Sequence, residues 1–133
     1  MDPVGSPPRW SVTNPPSSGR TIGVVGTGVI GAGWTVRALA RGHSVVAWDP
    51  DSGAQARLRE FVARAWPSAT RLGLFPGANS ENITFASSVA ELAGMVDWIQ
   101  ENAPEREDLK RNLINELAGA ASPDTVIASS SSG

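Results

Sequence analysis

An α/β fold built on one doubly wound parallel sheet is predicted by three observations. Short apolar runs alternate with segments of helical periodicity from Thr21 to Ala128, the first run feeds straight into glycines spaced G-x-G-x-x-G, and the second run ends in an aspartate. Alternation of this kind implies parallel pairing, because each helix carries the chain back across the sheet through a right-handed crossover.

Thr21 to Gly33 reads Thr-Ile-Gly-Val-Val-Gly-Thr-Gly-Val-Ile-Gly-Ala-Gly, and Ile22 to Val25 supplies the first strand. Gly26, Gly28 and Gly31 occupy the three motif positions, with Thr27, Val29 and Ile30 between them. In a dinucleotide loop the first glycine turns the chain off the strand, the second admits a pyrophosphate and the third lets the helix pack close to the sheet. The phosphates then meet unpaired N–H groups and the positive end of the helix dipole. A helix is predicted from Val29 to Arg41, capped by Gly42, with Val29, Ala32, Gly33, Val36, Leu39 and Ala40 on its packing face. Trp34, Arg37 and Arg41 lie on another face, where Trp34 reads as edge packing.

Val45 to Trp48 forms the second strand and ends in Asp49, 21 positions after Gly28. A carboxylate there accepts a hydrogen bond from a ribose 2′-hydroxyl and repels a 2′-phosphate, which favours NAD over NADP. His43 precedes this strand, at the amino edge of the sheet. Ligands of open α/β sheets bind beyond the carboxyl ends of the strands, so His43 is assigned a structural or solvent role.

The remaining elements follow the same alternation. Asp51 to Trp66 reads as a helix, with Ala54, Leu58, Phe61, Val62, Ala65 and Trp66 as its apolar stripe and Pro67 interrupting it. Ile83 to Phe85 is a short strand, and Ser88 with Glu91 makes a capping-box pattern for a one- or two-turn helix. Val96 to Gln100 is a fourth strand, Pro104 to Ala120 a helix with Leu109, Leu113, Ile114 and Leu117 inward, and Thr125 to Ala128 a fifth strand. Met1 to Gly19, rich in proline, serine and glycine, reads as a flexible arm ahead of a domain from residue 20 to residue 133; Trp10 within it is assigned no role. Ser129 to Gly133 is either a linker or a segment at the ligand edge of the sheet.

Composition narrows the function classes. A formal charge of −2 with interspersed signs gives no footprint for nucleic acid or an anionic membrane. With no cysteine and one histidine, a disulfide framework, a thiolate metal site and a multi-histidine zinc site are all ruled out, and no metal is expected. No apolar run approaches the ~20 residues of a membrane helix, and a cytoplasmic location is expected.

The glycine loop, Trp48-Asp49-Pro50, the stretch from Glu101 to Lys110 and the segment from Ile127 to Gly133 together resemble the N-terminal part of the 3-hydroxyacyl-CoA dehydrogenase family. The resemblance implies a Rossmann-type domain that lacks the family's C-terminal helical domain, with NAD as cofactor. It places the pyrophosphate on Gly26, Gly28 and Gly31, the adenosine ribose on Asp49, and Glu105 and Lys110 along the cofactor cleft near the nicotinamide. By the same resemblance Ser132 is the catalytic serine that hydrogen-bonds the reacting hydroxyl. The substrate implied is a small carnitine-like hydroxyacid, and the full-length family member is implied to be a homodimer. The family's catalytic histidine, its orienting glutamate and its closing helical domain have no counterpart in this sequence, so the chain reads as the cofactor half of an active site. From the residues alone, Glu105 and Lys110 read as an exposed charged first turn of a helix. Relatives acting on gulonate or 3-hydroxybutyryl-CoA, and a non-catalytic dinucleotide-binding module, remain open alternatives.

Overall fold

The computed structural model describes residues 20–102 and 107–129. Five strands alternate with four helices: β1 (Thr21–Val25), α1 (Val29–Ala40), β2 (Ser44–Trp48), α2 (Ala54–Leu72), β3 (Ile83–Phe85), α3 (Val89–Ala93), β4 (Trp98–Glu101), α4 (Glu107–Ala120) and β5 (Val126–Ser129). All four strand pairings are parallel, and the sheet order is β3-β2-β1-β4-β5. This is the predicted doubly wound sheet. Its order reverses between β1 and β4, the switch point at which open α/β sheets leave a crevice at the carboxyl ends of their strands.

Two cores cover the two faces, as the period of two along each strand dictates. Ile22, Val24, Val45 and Ala47 pack with Leu39 of α1 and with Leu58 and Val62 of α2. Val25, Val46 and Ile99 pack on the other face with Val89 and Leu92 around α3 and with Leu117 of α4. Gly23 takes its place on this second face because a Cβ there would lie 2.7 Å from Leu92 Cδ2.

Several boundaries and faces differ from the sequence expectations. The buried face of α1 is Gly31, Ala32, Thr35, Ala38 and Leu39, while Val29 is 81% exposed. Val29 belongs to the first turn, past the carboxyl end of β1, where no sheet lies beneath it. Thr35 is accommodated in the core because its hydroxyl donates to Gly31 O at 2.9 Å. Trp34 is partly exposed beneath the Arg37 guanidinium, which lies 5.8 Å from the ring centroid. Helix α2 continues through Pro67 to Leu72. The carbonyl that loses its amide partner belongs to Ala63, an exposed residue whose carbonyl water can satisfy, while Trp66 and the buried Ala69 pack on either side of the proline. At α3, Ser88 Oγ accepts from Glu91 N–H at 3.0 Å, and Glu91 Oε1 accepts from Ser87 N–H at 2.7 Å, one residue before the cap. Strand β5 extends to Ser129, so the first serine of the run belongs to the sheet. The arm with Trp10, and residues 103–106 and 130–133, lie outside the described residues.

His43 has the structural role expected of it. It is 6% exposed, and its Nδ1 accepts from Arg20 N–H at 3.0 Å. Burial first, then the charges of Arg41 and Arg20, push its pKa below the ordinary value of 6.5. The unfolded chain therefore binds this proton more readily than the folded one. Stability from this group is fully present above pH 6.5 and is lost as the pH falls from there through the lowered folded value. Urea unfolding followed across mildly acidic pH should show this decline, and His43→Gln should flatten it; an unchanged slope in that variant would remove His43 as its source.

Candidate functional site

The carboxyl edge of the sheet gathers most of the sequence-predicted site residues. Gly26, at φ +87°, turns the chain off β1, a conformation that favours glycine, and its N–H donates to Trp48 O at 2.8 Å. The loop is thus tied to the end of β2 before α1 begins. Gly31 lies so close to this turn that a Cβ on it would stand 1.9 Å from Gly26 O and 3.2 Å from Asn102 Nδ2. At Gly28 the surroundings are the opposite: a Cβ there would meet no heavy atom within 4 Å. One glycine serves helix–strand contact, and the other leaves backbone open on the crevice side.

Asp49 closes the loop from the β2 side. Its Oδ2 accepts from Thr27 N–H at 2.8 Å and from the Thr27 hydroxyl at 3.1 Å. The other oxygen, Oδ1, accepts from Asp51 N–H at 2.9 Å. The carboxylate therefore sits against the glycine loop, half-buried, at the end of the second strand. Next to it Asp51 is held below the usual carboxylate range, first by the Gly53 N–H and then by Arg57, which pairs with it at 2.6 Å.

Between the loop, α1 and α2 lies a cavity of about 360 Å³, lined by Thr27, Gly28, Val29 and Ala32 on one side and by Arg57, Glu60, Phe61 and Arg64 on the other. Both guanidinium groups are paired, Arg57 with Asp51 and Arg64 with Glu60, and with the Phe61 ring they offer flat surfaces that suit an aromatic base. Val29 and Ile30, both exposed, present an apolar first turn of α1 at the same edge.

On the β4 side the chain contributes residues that sequence reasoning did not single out. Asn102 Nδ2 donates to Gln100 O at 3.1 Å and reaches Gly26 O at 3.4 Å, bracing the glycine turn from β4. Glu101, fully buried, faces Lys110 Nζ at 3.4 Å and accepts from the Ser129 hydroxyl at 2.8 Å. The signal in the sequence was the polar pair Glu101-Asn102 just past the predicted strand end at Gln100, which by itself reads as the start of a loop. Lys110 is thus 12% exposed, not the wetted charge that the residues alone suggested. Glu105 and Ser132 lie outside the described residues.

A family model for the 3-hydroxyacyl-CoA dehydrogenase NAD binding domain matches residues 21–133. The chain belongs to this family. Its residues fit the cofactor of that domain: a glycine loop with open backbone at Gly28, a helix N-terminus behind it, and the Asp49 carboxylate beside Thr27. Within the family, the chain is similar to L-carnitine dehydrogenase from Pseudomonas aeruginosa, 53% identical over 114 residues, which cover 86% of this chain and 36% of that protein. Among solved structures it is similar to 3-hydroxybutyryl-CoA dehydrogenase from Escherichia coli, with a TM-score of 0.73 and 28% identity over 86% of this chain and 25% of the other. It is likewise similar to 5-formyl-3-hydroxy-2-methylpyridine 4-carboxylic acid 5-dehydrogenase, an NAD+-dependent dismutase, with a TM-score of 0.73 and 30% identity over 86% of this chain and 38% of the other. The chain spans about a third of the length of the curated relatives it matches. No helix among the described residues is long and apolar enough to cross a membrane, and no group of three or more metal-ligating side chains occurs among them.

Proposed function

We propose that this chain is the NAD-binding portion of an L-carnitine 3-dehydrogenase, in which carnitine and NAD give 3-dehydrocarnitine, NADH and a proton. The observation that carries this reading is the Asp49 carboxylate hydrogen-bonded to Thr27 of the glycine loop, together with the 53% identity to a carnitine dehydrogenase. NAD would supply the hydride acceptor. The chain's own residues hold and orient: the amides from Gly28 to Gly31, at the start of α1, face the pyrophosphate, Asp49 accepts from the adenosine ribose, and Glu105 and Lys110 line the nicotinamide half of the cleft. Ser132 hydrogen-bonds the substrate hydroxyl whose carbon gives up the hydride.

Proton removal from that hydroxyl requires a base within hydrogen-bond reach. The chain's one histidine, His43, is buried at the amino edge of the sheet, opposite the loop, with Nδ1 already engaged by Arg20 N–H. By the family resemblance that base is a histidine, which this reading assigns to a further part of the enzyme, with this chain as the cofactor half of a cytoplasmic dehydrogenase that works as a homodimer. Domain limits follow the same reading, with an arm to residue 19 and the cofactor domain from residue 20 onward.

Titration calorimetry of the chain with NAD and NADP tests the assignment. NAD should bind at least about tenfold more tightly than NADP, the 2′-phosphate being opposed by Asp49; carnitine should elicit no NADH from this chain alone. Binding of neither nucleotide would sink the reading.

A further inference from the structure

A buried carboxylate at a ligand edge calls for a reason. Glu101, the last residue of β4, has a side chain that is 0% exposed. Withdrawing a carboxylate from water costs several kcal/mol unless a partner charge and hydrogen bonds offset it. Glu101 has both kinds of partner: Lys110 Nζ from α4 lies 3.4 Å from Oε1, and the Ser129 hydroxyl of β5 donates to the same oxygen at 2.8 Å. Strand register fixes the second contact, since Glu101 and Ser129 are directly paired across β4 and β5.

A buried ion pair is seldom the cheapest way to fill such a volume, because apolar residues of similar size stabilise a fold as well or better. This pair stands where position matters. Glu101 is followed by Asn102, whose side chain reaches the Gly26 carbonyl of the loop, so one dipeptide serves the glycine turn on one side and Lys110 with Ser129 on the other. Lys110 Nζ is buried and makes no hydrogen bond among the described residues. Held at ion-pair distance, it retains its donors for a further acceptor. A dinucleotide bound across the switch point places its adenosine on the Asp49 side, which leaves its other half to the β4 and β5 side, where Lys110 stands.

We propose that Glu101 is a positioning residue that holds the Lys110 ammonium, with help from the Ser129 hydroxyl, in the place where it meets the non-adenosine half of the bound dinucleotide. The inference rests on the NAD-binding reading given above. Glu101 itself touches no cofactor; it restricts a flexible four-carbon stem to one arrangement and balances its charge in a site closed to water.

Affinities for NADH and for ADP, measured by calorimetry on the full chain, test this. Glu101→Gln preserves shape and removes the charge. It should weaken NADH binding by about tenfold and leave ADP within about twofold, since ADP occupies only the adenosine half. Lys110→Met should do the same, and the double variant Glu101→Gln/Lys110→Met should bind NADH no more weakly than Lys110→Met alone, as expected when one residue acts through the other. Equal losses for NADH and ADP would mark a general structural defect and overturn the proposal, as would single-variant effects that multiply in the double variant. If Glu101→Gln does not fold, Ser129→Ala decides: it leaves the ion pair in place, and about a threefold loss for NADH with ADP unchanged supports positioning, while unchanged NADH binding overturns it. Absence of NADH binding by the unaltered chain would overturn the cofactor reading along with this one, whereas normal binding with unaffected variants would overturn this one alone.

Discussion

Gly31→Ala is expected to destabilise the chain by about 3 kcal/mol or more. The methyl group would stand 1.9 Å from the Gly26 carbonyl oxygen, a backbone atom that no rotamer change can move aside. Gly26 is itself fixed, by its N–H on Trp48 O and by the Asn102 side chain near its carbonyl. Relief therefore requires α1 to shift away from β1, which opens the core where Ala32, Leu39 and Val24 meet. Gly28→Ala makes the informative contrast. Its backbone, at φ −68° and ψ −163°, accepts any residue, and nothing lies within 4 Å of the new methyl. Stability should change by less than about 0.5 kcal/mol, while NAD affinity falls by at least about tenfold as the methyl occupies the space of the pyrophosphate. Urea unfolding and NAD calorimetry on the two variants separate the roles. Equal midpoints for Gly31→Ala and the unaltered chain would refute the steric account, and tight NAD binding by Gly28→Ala would refute the placement of the phosphates.

Asp49→Ala should lower NAD affinity by about 10- to 100-fold and narrow the preference over NADP. Two effects act together. The ribose loses a charged acceptor, and the Thr27 and Asp51 amides lose the oxygens that fix the loop and the turn after β2. NADP should suffer less, because removing the carboxylate also removes its repulsion of the 2′-phosphate. Asp49→Asn retains an acceptor without the charge and should fall between the two for NAD. Nucleotide titrations of the three proteins check the order; an Asp49→Ala variant that still distinguishes NAD from NADP to the original degree would show that another group sets the selectivity.

The sequence carried the fold because its signals were redundant. Strand–helix alternation, the glycine loop and the aspartate ending β2 each pointed to the same parallel sheet, and the same residues marked the loop half of the candidate site. What stayed hidden depended on tertiary surroundings. Val29 fits the helical stripe of α1 yet lies beyond the sheet, because periodicity reports direction around a helix and not how far the underlying layer extends. Pro67 reads as a break, but an exposed carbonyl at Ala63 makes it tolerable within α2. Lys110 reads from the residues alone as a solvated charge and Glu101 draws no notice, since neither spacing nor composition reveals that the two meet in a buried pair. The fully buried charge in this region was legible only in three dimensions.

The strand order also has a dynamic consequence. β1 lies inside the sheet and is paired along its length by β2 and β4, whereas β3 is paired, among the described residues, with β2 alone. Partial openings that release a marginal strand leave β1 and its two neighbours intact, and the glycine turn springs from that last-surviving trio. Fraying at β3 and loss of the nucleotide loop are therefore expected as separate events, with the second close to global unfolding.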